Sequence, residues 1–376
     1  MMLLARLVPP GVVAALLLLG GMWAAANFTG RAPESSVMSA NLAPVPVREG
    51  LILISMQDPE KRDQPAILFT TEGKEVGRFA VGAAAQPVNP GGPPSCSLFH
   101  ARLSPDGKRL AAFKIGPIKQ DNVGPWVPLH LWMFALDDKK GPTEALRSNM
   151  RNPSLAWDPD GSKLFVSEVN PENGTDPVEK GKLPAMISWV HDVKTKKNSL
   201  LALPAGHEII DVSSDGKSLL TRTRPSQEWD SETGHVIALE TLKSRRLSGQ
   251  PFQAMRFSPD AKEVIGYRHG KKEDRPSPGV LVIMPVTEGR ERTIALPPTA
   301  THSAHACWSP DGKRIAYEWT EIDAAAPEEN GQPAPQGKMR PNLPLSRVSV
   351  ADFDGNRSKV ILRCEQGQTI RGIDWR

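Results

Sequence analysis

The sequence predicts an all-β fold of six repeated four-stranded sheets, on three observations. An apolar strand, an S-P-D-G turn and a second apolar strand recur five times along the chain. The recurrences are spaced by about the length of four short strands and their turns. Gly (31) and Pro (36) are also in excess, about 18% of the chain against roughly 12% in average usage. That excess favours a turn-rich chain of short strands over long helices.

The five copies are ARLSPDGKRLAAF (101–113), LAWDPDGSKLFVS (155–167), IDVSSDGKSLLTR (210–222), MRFSPDAKEVIGY (255–267) and ACWSPDGKRIAYE (306–318). Their turn aspartates, Asp106, Asp160, Asp215, Asp260 and Asp311, lie 54, 55, 45 and 51 residues apart. In each turn Pro presets φ, Asp bonds its own backbone and Gly accepts a positive φ. The segment after the turn alternates polar and apolar, as a half-buried strand does. Third strands follow in HLWMFALD, ISWVHDV, HVIALET, VLVIMPV and RVSVADFDG, and fourth strands such as KVILRC (359–364) complete each unit. One such sheet cannot bury both faces alone, so neighbouring copies must stack.

Two fragments remain. The tail TIRGIDWR (369–376) matches only the first strand of the repeat, while LILISM, AILFTT and EVGRFA near residue 50 supply the other three. Joined, they make a sixth unit. The expected architecture is a six-bladed β-propeller over residues 50–376, closed by pairing of the C-terminal strand with the N-terminal strands. Closure removes the exposed sheet edges that an open array would leave.

The repeat, W/F-S-P-D-G-K-R-[LI]-A-[FY] with a D-x-D-G turn late in the last copy, resembles the PD40 or WD40-like repeat of the TolB propeller family. The resemblance covers nearly all of the chain after residue 50. It implies protein or peptide partners, met at a channel mouth or on inter-blade loops, in the cell envelope. The same blade recurs in peptidase gating domains and in sugar lyases, so its meaning for fold is sharper than its meaning for function.

Residues 1–26 read as a signal peptide or membrane anchor. Arg6 precedes an uncharged apolar run from Leu7 to Ala26, long enough to span a hydrocarbon core of ~30 Å. Pro9, Pro10 and Gly11 shorten its apolar centre, and Ala24-Ala25-Ala26 fits a signal-peptidase site. Cleavage and retention both remain open. Residues 27–49 read as a flexible tether. Either way the propeller is expected outside the cytoplasm, in the periplasm or its equivalent.

Composition narrows the function. With 39% hydrophobic and 23% charged residues the chain is neither disordered, fibrous nor a multi-span membrane protein. Lys+Arg (46) nearly balance Asp+Glu (42), which argues against nucleic acid as a partner. Three Cys (Cys96, Cys307, Cys364) do not make a disulfide framework. The chain contains no G-x-S-x-G elbow, no G-x-G-x-x-G and no G-x-x-x-x-G-K-[ST] loop. His207-Glu208 begins like H-E-x-x-H, but position 211 is Asp. Asp352-Phe353-Asp354-Gly355-Asn356 reads as a hairpin turn, because Arg363 stands where a calcium loop would place its distal Glu. His302, His305 and Cys307 are the densest set of soft-metal ligands, yet strand alternation puts only 305 and 307 on one face, too few for zinc. No catalytic residue, metal site or cofactor is assigned.

Aligning the innermost strands on their turns gives the candidate binding residues. Two positions before the turn stand Arg102, Ala156, Asp211, Arg256, Cys307 and Asp374. Asp374 neighbours Arg102 around the ring, and Asp211 neighbours Arg256, so inter-blade ion pairs are expected beside a central channel. Arg102, Asp211, Arg256 and Asp374, with His100 and His305, are the channel candidates. They set blade packing in one reading and bind a charged ligand in the other. Trp157, Trp308 and Trp375 are expected as inter-blade core, and Trp126 as a surface contact. Two Pro/Gly-rich loops, Pro87–Ser95 and Ile322–Leu345, are candidate docking arms. The expected function is a non-catalytic protein- or peptide-binding or scaffolding module; the alternative is an envelope enzyme or small-ligand or metal sensor using the channel.

Overall fold

The computed structural model describes residues 50–57, 66–79, 98–115, 119–121, 124–126, 128–136, 144–150, 153–169, 186–223, 232–250, 252–268, 279–303, 305–322, 344–365 and 368–376. The signal or anchor (1–26), the tether (27–49), Pro87–Ser95, Cys96, nearly all of the Ile322–Leu345 insertion and the side chain of Trp126 lie outside this description.

The strands group into six sheets, with one added hairpin. In chain order β1 (Ile52–Gln57), β2 (Ala66–Phe69) and β3 (Glu75–Phe79) belong to the sixth sheet. The first blade holds β4 (Leu98–Leu103), β5 (Arg109–Ile115), β8 (Leu129–Ala135) and β9 (Glu144–Met150). Between its second and third strands, β6 (Lys119–Asp121) and β7 (Gly124–Trp126) form a two-stranded hairpin where the sequence suggests only a loop. The second blade is β10 (Ser154–Trp157), β11 (Lys163–Val169), β12 (Met186–Asp192) and β13 (Asn198–Leu201). The third is β14 (Glu208–Val212), β15 (Ser218–Thr223), β16 (Thr233–Ala238) and β17 (Ser244–Arg246). The fourth is β18 (Gln253–Phe257), β19 (Glu263–Arg268), β20 (Val280–Pro285) and β21 (Arg292–Ala295). In the fifth the inner edge is split into β22 (Ala300–His302) and β23 (Ala306–Trp308), both paired with β24 (Arg314–Ile322), followed by β25 (Pro344–Asp352) and β26 (Lys359–Arg363). Finally β27 (Thr369–Trp375) pairs antiparallel with β1, from Ile52 opposite Trp375 to Gln57 opposite Thr369, with a register shift at Arg371 between the Ser55–Gly372 and Met56–Ile370 pairs.

The turns behave as their chemistry requires. Ser213, Ser258 and Ser309 donate to the turn carboxylates of Asp215, Asp260 and Asp311 at 2.6–2.7 Å. The same carboxylates accept the backbone N–H of Lys217, Lys262 and Lys313 at 3.0–3.1 Å. Gly107, Gly161, Gly216 and Gly312 take φ values of 65–72°. In the one copy written D-A, Ala261 adopts φ 58° without the glycine that makes this conformation easy.

The core lies between blades rather than inside them. Six apolar clusters are each shared by two neighbouring sheets, Trp157 in the one between the first and second blades, Trp308 between the fourth and fifth, and Trp375 between the fifth and sixth. Arg109 of the first blade stacks over Trp157 of the second, and Arg314 of the fifth over Trp375 of the sixth, each at 5.2 Å. The arginine of the K-R-L-A segment therefore caps the aromatic of the next blade.

Candidate functional site

The innermost strands all run towards their S-P-D-G turns, so one end of the channel is ringed by turns and the other by strand starts. Contacts join β27 to β4, β4 to β10, β10 to β14, β14 to β18 and β18 to β23. Each inner strand turns one edge to the channel, where its N–H groups have no partner strand.

Four of these strands carry a β-bulge just ahead of the channel position. Register shifts occur between Phe99 and Arg102, between Ile209 and Asp211, between Ala254 and Arg256, and between Ile370 and Gly372, two residues before Asp374. The regularly paired β10 carries Ala156 at the same place, and β23 carries Cys307. A bulge adds a residue and re-aims the side chains beyond it, so Arg102, Asp211 and Arg256 follow a local break in register. At the first of these bulges His100 holds φ 47°, a conformation that costs energy for a residue with a Cβ.

The expected carboxylate–guanidinium pairs do not form. Asp374 instead accepts the backbone N–H of Leu103 at 2.8 Å, and Asp211 that of Phe257 at 2.9 Å. Each aspartate thus caps an edge N–H on the following blade, one residue after the arginine expected to pair with it. Arg102 donates to the Ile373 carbonyl at 3.2 Å, and Arg256 to the Met255 carbonyl at 2.6 Å. The reason is the bare strand edge. An orphaned N–H within reach of a carboxylate takes it first, because leaving the N–H unmet is costly. Burial followed by the fields of Asp374 and Asp211 acts on Arg102, and burial is the stronger, lowering its pKa.

A cavity of about 400 Å³ opens at the turn end, lined by Asp211, Ser214, Arg256, Trp308, Asp374 and Arg376 among others. Arg376 occupies the turn-serine position of the sixth blade, and its Nε lies 3.7 Å from Asp374. Burial pushes the Asp211 carboxyl up to about 6, against the opposing pull of Arg376, the Phe257 N–H and Arg102. Cys307 also lines the cavity, and burial holds its thiol protonated well above the usual range.

The opposite end carries a different set. His100 and His305 meet edge to face at 6.5 Å, and His305 Nε2 lies 3.9 Å from Glu318. Burial lowers His100 to about 4, with Arg102 and Arg222 adding to the effect. Burial and the neighbouring His100 depress His305 as well. Glu318 is pushed up to about 8 by burial, against the Ser346 hydroxyl and Arg371. Glu208 and Arg222 form a bidentate pair at 2.8 and 2.9 Å.

The His302, His305, Cys307 set is taken apart. His302 faces Tyr267 at 5.4 Å, His305 faces His100, and Cys307 is buried in the fifth–sixth blade core. Among the described residues no group of three or more His, Cys, Asp or Glu side chains is placed to hold a metal ion. His207 is a core histidine bonded to the Thr221 hydroxyl at 2.8 Å. Asp352 to Asn356 is the β25–β26 hairpin turn, closed by Gly355 N–H to Asp352 O at 2.8 Å. Sequence reasoning misses Arg376, Glu318 and Arg371. Alignment on the turns could have found Arg376, which falls in register with the turn serines.

No protein-family model and no curated protein sequence matches the chain. Among solved structures, TolB from Acinetobacter baumannii matches with a TM-score of 0.53 at 15% identity, over 86% of this chain and 67% of that one. A nidogen/laminin complex matches at 0.50 with 11% identity, over 86% and 97%. An oligogalacturonate lyase from Vibrio parahaemolyticus matches at 0.48 with 10% identity, over 83% and 79%. At these identities the likeness is one of fold, a six-bladed propeller similar to that of TolB.

Proposed function

We propose that this chain is an exported propeller that binds a protein or peptide partner at the turn end of its channel. Residues 1–26 direct export or anchor the chain, residues 27–49 tether it, and residues 50–376 form the binding module outside the cytoplasm. Pairing of β27 with β1 serves as the latch that closes the ring. The observation that carries the reading is the bulge at Arg256. The strand register breaks immediately before it, and its buried guanidinium lines the cavity without a carboxylate partner among the described residues, whereas Asp211 and Asp374 are taken up by edge N–H groups. The likeness to TolB supports an envelope setting for such a module.

In-cell crosslinking of the full-length protein, followed by mass spectrometry, tests this. A specific partner recovered with the wild-type chain and lost in the Arg102→Ala, Arg256→Ala variant supports the channel. Loss on deletion of residues 322–345 instead moves the surface to that loop. No enrichment over a signal-only control removes the reading. Envelope fractionation of the same cells tests the location.

One observation favours a second reading, a small-ligand sensor or enzyme working from the other mouth. There Glu318 and His305 stand 3.9 Å apart with their proton affinities displaced in opposite directions.

A further inference from the structure

The charges around the turn-end cavity are not evenly settled. Asp374 has Arg376 at 3.7 Å and the Leu103 N–H at 2.8 Å. Asp158, also in the lining, accepts the Lys163 N–H and the Ser162 hydroxyl, both at 2.9 Å. Asp211 is held by the Phe257 N–H. Arg256 is left over. It is 7% exposed, its Nε has no hydrogen-bond partner, and its guanidinium is met only by the carbonyl of the residue before it. Among the described residues no carboxylate reaches it within salt-bridge distance. A buried guanidinium without a counter-ion is costly to a fold, and here it borders an open cavity. Trp308 adds a buried indole N–H without a partner in the same lining.

Apart from Ser214, Ser258 and Ser309, the rest of the wall is apolar. Trp157, Trp375 and the turn prolines Pro105, Pro159, Pro259 and Pro310 surround these donors. A volume of about 400 Å³ is in the range that takes a small organic ligand or the last residues of a peptide. Guanidinium matches the planar two-oxygen geometry of a carboxylate.

We propose that this cavity is a carboxylate-binding site in which Arg256, with Arg376 in the same lining, supplies the counter-charge to a carboxylate borne on an apolar body. The inference rests on the reading of the channel as the binding surface. The carboxylate has two sources of the same chemistry, the free C-terminus of an inserted polypeptide and a free organic acid.

The test is calorimetric titration of the full-length protein in mild detergent with four probes. These are 3-phenylpropionate, 3-phenylpropionamide, and the tetrapeptide Gly-Ala-Ala-Phe with a free or an amidated C-terminus. The expected result is that at least one acid binds, at about millimolar Kd or better, at least tenfold tighter than its amide. Binding of the tetrapeptide acid tighter than phenylpropionate assigns the source to a polypeptide end, and the reverse order assigns it to a small acid. Arg256→Gln is expected to weaken the acid at least tenfold and leave the amide unchanged. Arg376→Gln, a more exposed position, is expected to weaken it at least threefold and keeps the test open if Arg256→Gln does not fold. Absence of acid binding, equal binding of acid and amide, or acid binding untouched by the folded variants overturns the proposal. If that happens while a channel-dependent crosslinked partner persists, the carboxylate site falls and the partner-binding reading stands.

Discussion

Glu318 and His305 show how burial acts on single residues. The Glu318 carboxyl shifts from 4.5 to about 8, facing His305, Ser346 and Arg371. A folded-state pKa raised above its unfolded value contributes stability that is fully present below pH 4.5 and lost as pH rises through about 8. Glu318→Gln mimics the protonated form, so its melting temperature is expected to match wild type near pH 5 and to exceed it by at least about 3 °C near pH 9. Equal melting temperatures at both pH values contradict that assignment. His100, lowered to about 4, has the opposite sign: its contribution is lost as pH falls through that value. Asp211 links pH to the cavity. Its neighbours there are Arg376, Arg102, Asp374 and the Phe257 N–H, and protonation near its pKa of about 6 removes a negative charge from the lining. Anion binding is therefore expected to tighten as pH drops from 7 to 5 in wild type, and to lose that dependence in Asp211→Asn. A titration of 3-phenylpropionate at the two pH values reads the difference.

Turns and inner strands differ in how much of them a sequence reader can see. S-P-D-G turns were legible because Pro, Asp and Gly each act locally: Asp215, Asp260 and Asp311 accept the backbone N–H two residues on, as expected, and the structure adds a bond from the turn serine to each of them. Ala261 tests the glycine argument from the other side. Ala261→Gly is expected to stabilise the fourth blade by about 1 kcal/mol, since it relieves a left-handed conformation at an alanine. Differential scanning calorimetry reads this, and a lower melting temperature contradicts it. Bulges leave no comparable signature. ARL, IDV and MRF look like ordinary strand ends, so alternation predicts charges facing one another, and the real competitor, an edge N–H on the next blade, stays hidden until the blades stand side by side. The β6–β7 hairpin was missed because Gly124-Pro125 reads as a loop breaker. At the tail, Trp375 is 2% exposed and capped by Arg314, so Trp375→Ala is expected to cost about 3–5 kcal/mol. Chemical denaturation measures that loss.

For the molecule as a whole, repetition made the architecture readable and concealed the site. Five written copies and one divided copy specify six sheets, and six apolar clusters bind neighbours together. Function depends on where copies differ: Arg102, Asp211, Arg256 and Asp374 against Ala156 and Cys307 at one aligned position. The most direct test of channel binding is photocrosslinking in cells with benzoylphenylalanine at Ser214, an exposed residue of the cavity lining, compared with Leu200, 77% exposed on the outer strand of the second blade. A discrete adduct at 214, absent at 200 and lost on adding Arg256→Gln, is the predicted result. No adduct at 214, or the same adducts at both positions, would contradict binding at the channel.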